Sequence, residues 1–476
     1  MAEKKGKKAQ LVIIGAGPGG YGAAFHANDL GFDVTLIDPK ENPGGVCLYH
    51  GCIPTKALLH FAGVKEETYR AREWGLDFNQ VTIELEKVRG WKDKVVKQLT
   101  GGLGQLVKRR KINYIRGKAK FIDNQRLKVE THDGEQHELA FEHAVIATGA
   151  TANKLPGIDL EDDRIMNAES ALRLEEIPQE LLIIGAGYIG LEMGMIYKAL
   201  GSGITVAELT SDIMPGVDTD LKKEFRKERD DLLEDALFGT KATDIKKKKK
   251  KLEVTLENKE GESRKKEYDR VLVAVGASPN SKGLGLEEAG IETDDKGFIK
   301  VDIVRKTNVE NIYAIGDVTG QPLLAHKASH EGRVAAGAIA GRKTAYEPKA
   351  IPNVMFTEPE IAWTGLSETE AEEQGRKVEV AKFPWGASGR AVTMGRSRGL
   401  TKLIIDPGTE RILGAGFVGK NAGSLVPEAT LAIEMGAVAR DLELTIHPHP
   451  TLSETIMEAA EVFFGEATHI FKPKRK

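Results

Sequence analysis

Leu11-Val12-Ile13-Ile14-Gly15-Ala16-Gly17-Pro18-Gly19-Gly20 is the stretch whose reading decides the fold. Four apolar residues, three of them β-branched, read as a buried parallel strand. They run directly into a turn built of glycines. Residues 21–30 then have helix-compatible composition, and residues 32–37 are a second apolar strand that ends at Asp38. Strand, glycine turn, helix, strand and acid together form a dinucleotide-binding unit. Glycines at 15, 17 and 20 allow a tight turn and a close approach of pyrophosphate to a helix N-terminus, where free amides and the helix dipole favour negative charge. Asp38 is placed to accept hydrogen bonds from ribose hydroxyls.

The pattern returns downstream. Residues 181–184 are an apolar strand, Gly185-Ala186-Gly187-Tyr188-Ile189-Gly190 is the turn, residues 191–200 are helix-like, and residues 204–207 are a strand followed by Glu208. Gly15 precedes Asp38 by 23 positions, and Gly185 precedes Glu208 by 23. This matched offset implies two units of one design, hence two dinucleotides on one chain. The second unit is expected to prefer NAD to NADP. Glu208 would repel a 2′-phosphate, and no arginine lies between Gly203 and Phe225 to neutralise one.

Around these units the rest of the chain falls into place. A length of 476 residues exceeds one core. A net charge of -3 gives no electrostatic case for nucleic acid or membrane partners, and no apolar run spans a bilayer. The lysines near the N-terminus lead into a short apolar run that breaks at glycine, so it reads as a strand and not a secretory signal. A cytoplasmic, reducing compartment is the expectation. Residues 87–110 are helix-like. Residues 144–148 form a strand ending at Gly149, and residues 270–276 repeat that shape up to Gly276. Residues 311–317 (NIYAIGD) read as a buried strand ending in Asp317. From about residue 346 the alternating segments 402–405 and 412–418 predict an antiparallel sheet, with a helix over 427–435. Residues 221–235 are densely charged and residues 246–251 are six lysines in a row; both are expected to form a solvated turn between strands.

Only two cysteines are present, Cys47 and Cys52, in Gly44-Gly45-Val46-Cys47-Leu48-Tyr49-His50-Gly51-Cys52-Ile53-Pro54-Thr55-Lys56. A pair this close is coincidence, a partial metal site, or a redox pair. Zinc wants about four ligands and there is no second cysteine pair, so no metal site is expected. In a reducing compartment a catalytic disulfide is the more natural use than a structural one.

Two nucleotide units and a dithiol loop between them resemble the pyridine nucleotide–disulfide oxidoreductases over about residues 9–465. The motifs that carry the resemblance are GAGPGG, GGVCLYHGCIPTKALLH, WKDKVVKQLTGGL, ATGA, GAGYIGLEMG, NIYAIGD, LLAHKASHEG, FPWGASGRA and IHPHPTLSE. Within the family they match best the members that oxidise protein-bound dihydrolipoyl groups. The resemblance implies an α/β fold of two Rossmann-like domains plus a C-terminal α+β dimerisation domain. Residues 1–150 would bind FAD, 151–279 would bind NAD, 280–350 would complete the FAD domain, and 351–476 would form the interface of a homodimer. It further implies that Cys47 exchanges with substrate while Cys52 lies against the flavin. Lys56 would sit beside the flavin ring with Glu192 as its partner. Asp317 would hold the ribityl chain, Ala325 and His326 would lie near the pyrimidine end, and Tyr188 near the docking nicotinamide. His449 and Glu454, from the other subunit, would be the base and its carboxylate. Partners would be lipoylated acyltransferases or H-protein-type carriers. Tyr49-His50 and Ala277 depart from the Asn-Val and Arg usual at those places.

The chemistry explains these residue types. Dithiol–disulfide exchange needs a thiolate as attacker and a tolerated thiolate as leaving group. A thiol with pKa near 8.5 is mostly protonated at pH 7, so a base such as His449 is needed, oriented by Glu454. Cys52 would gain from the helix N-terminus after the loop. The rival readings are another FAD disulfide reductase, for glutathione, a CoA disulfide or mercuric ion, and a flavin-binding redox sensor or scaffold without turnover. His447 is a rival to His449 as the base, a plain structural ion pair is the rival role for Lys56–Glu192, and His50 is read as a surface or supporting residue.

Overall fold

The structure is a computed structural model and describes residues 8–471 apart from 80, 156–157, 159–161 and 234. The lysine-bearing start (residues 1–7) and the basic tail (472–476) lie outside the described residues.

The opening stretch forms β1 (Ala9–Ile14), α1 (Pro18–Asp29) and β2 (Val34–Asp38). Next come the short α2 (Gly45–His50), α3 (Cys52–Arg70) and α4 (Leu85–Arg109). A meander of β3 (Asn113–Phe121), β4 (Arg126–Thr131) and β5 (Gln136–Ile146) then returns the chain to the sheet. The first half of β3 pairs parallel with β2, and its second half turns antiparallel against β4. β5 makes the converse switch: its start pairs antiparallel with β4 and its end parallel with β1. It is therefore longer than the strand expected at 144–148. Alternation along β1 explains the two layers: Leu11 and Ile13 pack with Ala23, Ala24 and Ala27 of α1, while Val12 and Ile14 pack with Phe121, Leu127 and Val129 of the meander.

The second unit repeats this plan. β6 (Ala150–Ala152), β7 (Ile165–Met166) and the short α5 (Ala168–Ala171) lead into β8 (Glu180–Ile184), α6 (Tyr188–Leu200) and β9 (Gly203–Ala207). α7 (Thr219–Leu233) and β10 (Ala236–Leu237) precede the meander β11 (Lys241–Lys247), β12 (Leu252–Glu257) and β13 (Ser263–Tyr268), which returns through β14 (Arg270–Val273). The parallel sheet runs β10-β9-β8-β14-β7. Again the strand splits its side chains: Leu181 and Ile183 face the helices, and Leu182 and Ile184 face Val254, Leu256 and Tyr268 of the meander.

The charged region divides in two. Residues 221–233 are not a turn but most of α7, whose Leu221, Phe225, Arg229 and Leu232 are buried. Dense charge hid an amphipathic helix because its buried apolar positions are few and the fourth buried residue, Arg229, is itself charged. The lysine run does turn: Lys246 and Lys247 end β11, and the chain reverses before Leu252.

β15 (Ala277–Pro279) pairs antiparallel with β6, so the two connections between the units lie side by side. β16 (Ile312–Ala314) then adds parallel to β5 in the first sheet, and α8 (Ala325–Ile339) packs on α1. That packing is close: a Cβ on Gly332 would stand 2.7 Å from the Gly19 carbonyl. The chain finishes as a five-stranded antiparallel sheet in the order β17-β18-β21-β20-β19, from β17 (Asn353–Met355), β18 (Glu360–Gly365), β19 (Glu379–Pro384), β20 (Leu400–Ile405) and β21 (Ile412–Gly419). Within and after it come α9 (Glu368–Glu373), α10 (Gly389–Thr393), α11 (Val426–Met435), α12 (Ala439–Leu444) and α13 (Glu454–Phe464). The expected α/β architecture with a C-terminal α+β part is the one observed.

Candidate active site

The two glycine turns are superimposable in their constraints. Gly15 and Gly185 have φ of +99° and +108°, and a Cβ on either would stand 2.3 Å from the Ala147 carbonyl or 2.5 Å from the Ala274 carbonyl. A Cβ on Gly20 would lie 1.8 Å from the Gly15 carbonyl, and one on Gly190 would lie 2.0 Å from the Gly185 carbonyl. These four glycines are demanded by the fold itself. Gly17 and Gly187 are different. Their φ values of -70° and -74° suit any residue, and a Cβ would meet only Gly45 Cα at 3.8 Å in one case and nothing within 4 Å in the other. They begin α1 and α6, and no side chain caps either helix. An open space in front of uncapped amides is what an approaching pyrophosphate requires.

The acids after the second strands are tied back to those turns. Asp38 accepts the Ala16 N–H at 2.8 Å and the Lys40 N–H at 2.9 Å. Glu208 accepts the Ala186 N–H at 2.7 Å and the Thr210 N–H at 2.8 Å. Sequence reasoning assigned these acids to a ribose and missed the backbone partners; the equal spacing of 23 was the available signal. Burial pushes the Asp38 carboxyl up against those bonds. Gly149 and Gly276 both have positive φ, at 72° and 91°, where the chain leaves the two sheets.

Asp317 is not the end of a strand. It stands in a 3-10 turn (Gly316–Thr319) just beyond β16. That turn is pinned from beneath by buried Glu331, which accepts the Gly316 N–H at 2.6 Å and pairs with Arg305 and Lys327 at 3.1 and 3.2 Å. Asp317 itself has no hydrogen-bond partner among the described residues, and burial raises its carboxyl. Such a group fits a hydroxyl-rich ligand. Ala325 and His326 open α8 nearby, and His326 Nε2 lies 2.9 Å from the Pro352 carbonyl.

The dithiol loop is docked on the first glycine turn. Gly44 N–H donates to the Ala16 carbonyl at 2.8 Å. Gly45 has φ +58°, and a Cβ there would stand 2.5 Å from Gly17 Cα. Cys47 lies in α2, and Cys52 is the first residue of α3. Both are free thiols, half-buried. The neighbouring Cys47 thiol lowers Cys52 to about 7; burial opposes this, and the Lys56 charge and the Cys52 backbone amide assist it. The same contact, with burial, pushes Cys47 well up. The loop thus favours one thiolate in the pair, next to the Lys56 charge and the start of α3.

Lys56, one turn into α3, places its ammonium 3.1 and 3.0 Å from the two oxygens of Glu192 on α6. Glu192 is almost wholly buried, and the pair bridges the two nucleotide units. Tyr188 begins the same helix. His50 bridges outward: its Nε2 is 3.0 Å from Lys40 Nζ, and its Nδ1 is 3.3 Å from Glu169. Tyr49 O–H donates to the Asn42 carbonyl at 3.0 Å, which braces the loop.

His449 and Glu454 meet elsewhere, at the start of α13. His449 Nδ1 lies 2.8 Å from Glu454 Oε1, and the Thr451 N–H donates to Glu454 Oε2 at 2.6 Å. Burial alone would raise Glu454, but the Thr451 and His449 bonds hold its carboxyl below the usual range. The His449 side chain is 73% exposed, and Glu454 is its only bonding partner among the described residues. Its Nε2 therefore faces out of this chain. His447 is closed off: its two nitrogens lie 2.8 Å from Glu428 and 2.8 Å from the Thr445 carbonyl.

Among the described residues one carboxylate cluster has ligand-like spacing, Asp218, Asp220 and Glu368. The buried Lys402 ammonium already sits among them at 2.6, 2.8 and 2.7 Å.

A two-fold repeated nucleotide cradle with a dithiol loop seated on the first copy defines a flavoprotein-type disulfide reductase scaffold. The chain belongs to the pyridine nucleotide-disulphide oxidoreductase family. The family model matches residues 9–332, and the model of the family's dimerisation domain matches residues 351–460. The chain is 47% identical to a dihydrolipoyl dehydrogenase of Vibrio cholerae over 469 residues, covering 98% of each. It is 42% identical to one of Haloferax volcanii over 464 residues, covering 97% of each. The fold is similar to the crystal structure of LpdA from Mycobacterium tuberculosis, with TM-score 0.88 and 25% identity over 95% of this chain and 99% of that one. It is also similar to the HOCl-induced flavoprotein disulfide reductase RclA of Escherichia coli, with TM-score 0.83 and 28% identity over 94% and 98%.

Proposed function

We propose that this chain is a dihydrolipoyl dehydrogenase, oxidising protein-bound dihydrolipoyl groups at Cys47–Cys52 and delivering the electrons through FAD to NAD. The observation that carries the reading is the docking of an asymmetric dithiol on a nucleotide cradle, in a chain 42–47% identical to dihydrolipoyl dehydrogenases over nearly its full length. The first cradle, with Gly15, Gly17, Gly20, Asp38, Gly149 and Asp317, suits FAD. The second, with Gly185, Gly187, Gly190, Glu208 and Gly276, suits NAD; the Glu208 carboxylate would repel a 2′-phosphate.

The exchange balances in two steps. His449 takes the proton of the first substrate thiol, and the resulting thiolate attacks the Cys47 sulfur of the oxidised pair, forming a mixed disulfide and releasing Cys52 as thiolate. The second substrate sulfur then closes the substrate disulfide and expels Cys47, which takes up the proton of that second thiol. The pair now holds the two electrons, and His449 holds the first proton until it passes to solvent. Glu454 keeps the imidazole oriented through its contact with Nδ1. Cys52 tolerates the charge because its donor, its amide and Lys56 stabilise it. A flavin bound in the first cradle supplies the two-electron carrier that lets thiolate electrons reach a nicotinamide. The outward-facing His449, on a segment matched by the dimerisation-domain model, is delivered to the dithiol of a second copy, so the working unit is a homodimer. No helix among the described residues is long and apolar enough to cross a membrane, and the partners proposed are lipoylated carriers.

The test is the yellow flavin of the purified protein and NADH formation from dihydrolipoamide. Absence of bound flavin, or NADPH formation exceeding NADH formation, would overturn the reading. For the base, His449→Gln is expected to retain the dimer and the flavin and to lose lipoamide turnover by about 10²–10⁴-fold.

A further inference from the structure

The Lys56–Glu192 pair is gripped by a residue from the third part of the chain. Phe356 follows β17, and its N–H donates to Glu192 Oε1 at 2.9 Å. Its ring centroid lies 4.6 Å from Lys56 Nζ. One residue therefore fixes the carboxylate with its backbone and the ammonium with its π face. The segment that carries it is anchored just beyond the ring: the Glu358 N–H donates to Met195 Sδ of α6 at 3.3 Å, and Glu358 pairs with Lys420 at 2.6 Å. Core packing does not explain the aromatic ring. Phe356 is 39% exposed, belongs to none of the apolar clusters, and has no ring neighbour among the described aromatics. The ring instead faces the Lys56 cation.

The geometry points to Phe356 as a positioning residue that sets the electron affinity of the redox centre by holding Lys56. The inference rests on the reading that Lys56 lies beside the flavin. A cation held in place near a group that gains electrons favours the reduced state, and the effect falls when a flexible side chain is free to swing into water. The ring adds attraction for the ammonium without removing its charge, whereas Glu192 alone could draw it aside. The C-terminal part of the chain thereby reaches the electron-transfer step through one side chain, besides contributing His449.

The test uses flavin-loaded, dimeric protein and measures how two electrons divide between dithiol and flavin, together with the flavin midpoint potential. Phe356→Leu keeps the backbone donor and the bulk and removes the π face. It is expected to shift the distribution about tenfold away from the flavin, a fall of about 30 mV for a two-electron couple. Phe356→Tyr restores the π face and is expected to stay within about twofold of the parent, with unchanged melting temperature in both variants. A Leu variant within twofold of the parent would overturn the proposal. So would a Tyr variant as impaired as Leu, because the role would then be packing. A parent that binds no flavin would overturn the functional reading and this inference together; a loaded parent with an unresponsive Leu variant overturns this inference alone.

Discussion

Replacing Cys47 by alanine removes the donor that does most to stabilise the Cys52 thiolate. The parent Cys52 titrates near 7, with the Cys47 bond as its largest cause. A hydrogen bond to an ionised acceptor contributes about 1.5–3 kcal/mol. One pKa unit corresponds to about 1.4 kcal/mol, so losing the bond moves Cys52 up by about one to two units. Burial then continues to raise the thiol, with Lys56 and the helix amide as the remaining opposition. At pH 7 the thiolate fraction falls from about one half to about 1–10%. The assay is the long-wavelength thiolate–flavin charge-transfer absorbance followed from pH 5 to pH 10. In the Cys47→Ala protein Cys52 has no disulfide partner, so the band reports its ionisation directly; the parent is measured after two-electron reduction. Cys47→Ser, which keeps a hydroxyl donor, should fall between the two. A Cys47→Ala midpoint at or below that of the parent would refute the reasoning, because the low value would then come from the helix end and Lys56 alone.

Gly190→Ala places a Cβ 2.0 Å from the Gly185 carbonyl and is expected to destabilise the second unit by about 1–3 kcal/mol or more, read as a lower urea midpoint. Gly187→Ala meets open space and should leave the midpoint unchanged while weakening NADH binding at least tenfold; equal stability loss in both variants would contradict the distinction between the glycines. Lys402→Met leaves buried Asp218 without a cation, while Asp220 and Glu368 keep Lys382 at 2.7 and 3.1 Å, and should cost about 3 kcal/mol by chemical denaturation, a loss below about 1 kcal/mol being incompatible with a buried pair of this kind. Asp162 is held down to about 2 by Arg164, against an ordinary value of 3.8. A depressed carboxyl adds stability that is whole above about pH 4 and is lost as pH falls towards 2; Arg164→Ala should remove about 1–2 kcal/mol at pH 7 and flatten that acid limb in stability–pH curves.

Much of the site was legible because its constraints are local. Each glycine turn declares itself through residues that must lack a Cβ within five positions of one another, and the strand–turn–helix periodicity surrounds it. The dithiol loop is likewise one short segment, and its helix N-terminus begins at Cys52 itself. α7 was illegible for the opposite reason: its four buried positions are diluted by charge, and only packing against α6 and β21 reveals which face is inside. Asp317 was recognised as a site residue but placed on a strand, because the turn that holds it depends on Glu331, fourteen residues downstream.

The amino-acid sequence by itself determined the two nucleotide cradles, their order and equal design, since each is encoded by neighbours along the chain; the roles expected of the cysteine pair and of His449 and Glu454 came from the resemblance of longer motifs to a family. Tertiary structure decided what those pieces do to one another. It seated Gly45 against Gly17, so that the dithiol meets the first cradle and not the second. It placed Cys47 beside Cys52 and brought the charge of Lys56 to bear on the Cys52 thiol. It closed off His447, turned His449 outward, and brought Phe356 from the C-terminal part onto a pair shared by the other two. Electrostatic and π interactions act through space over a few ångströms, and no spacing along a sequence records which groups will come within that reach.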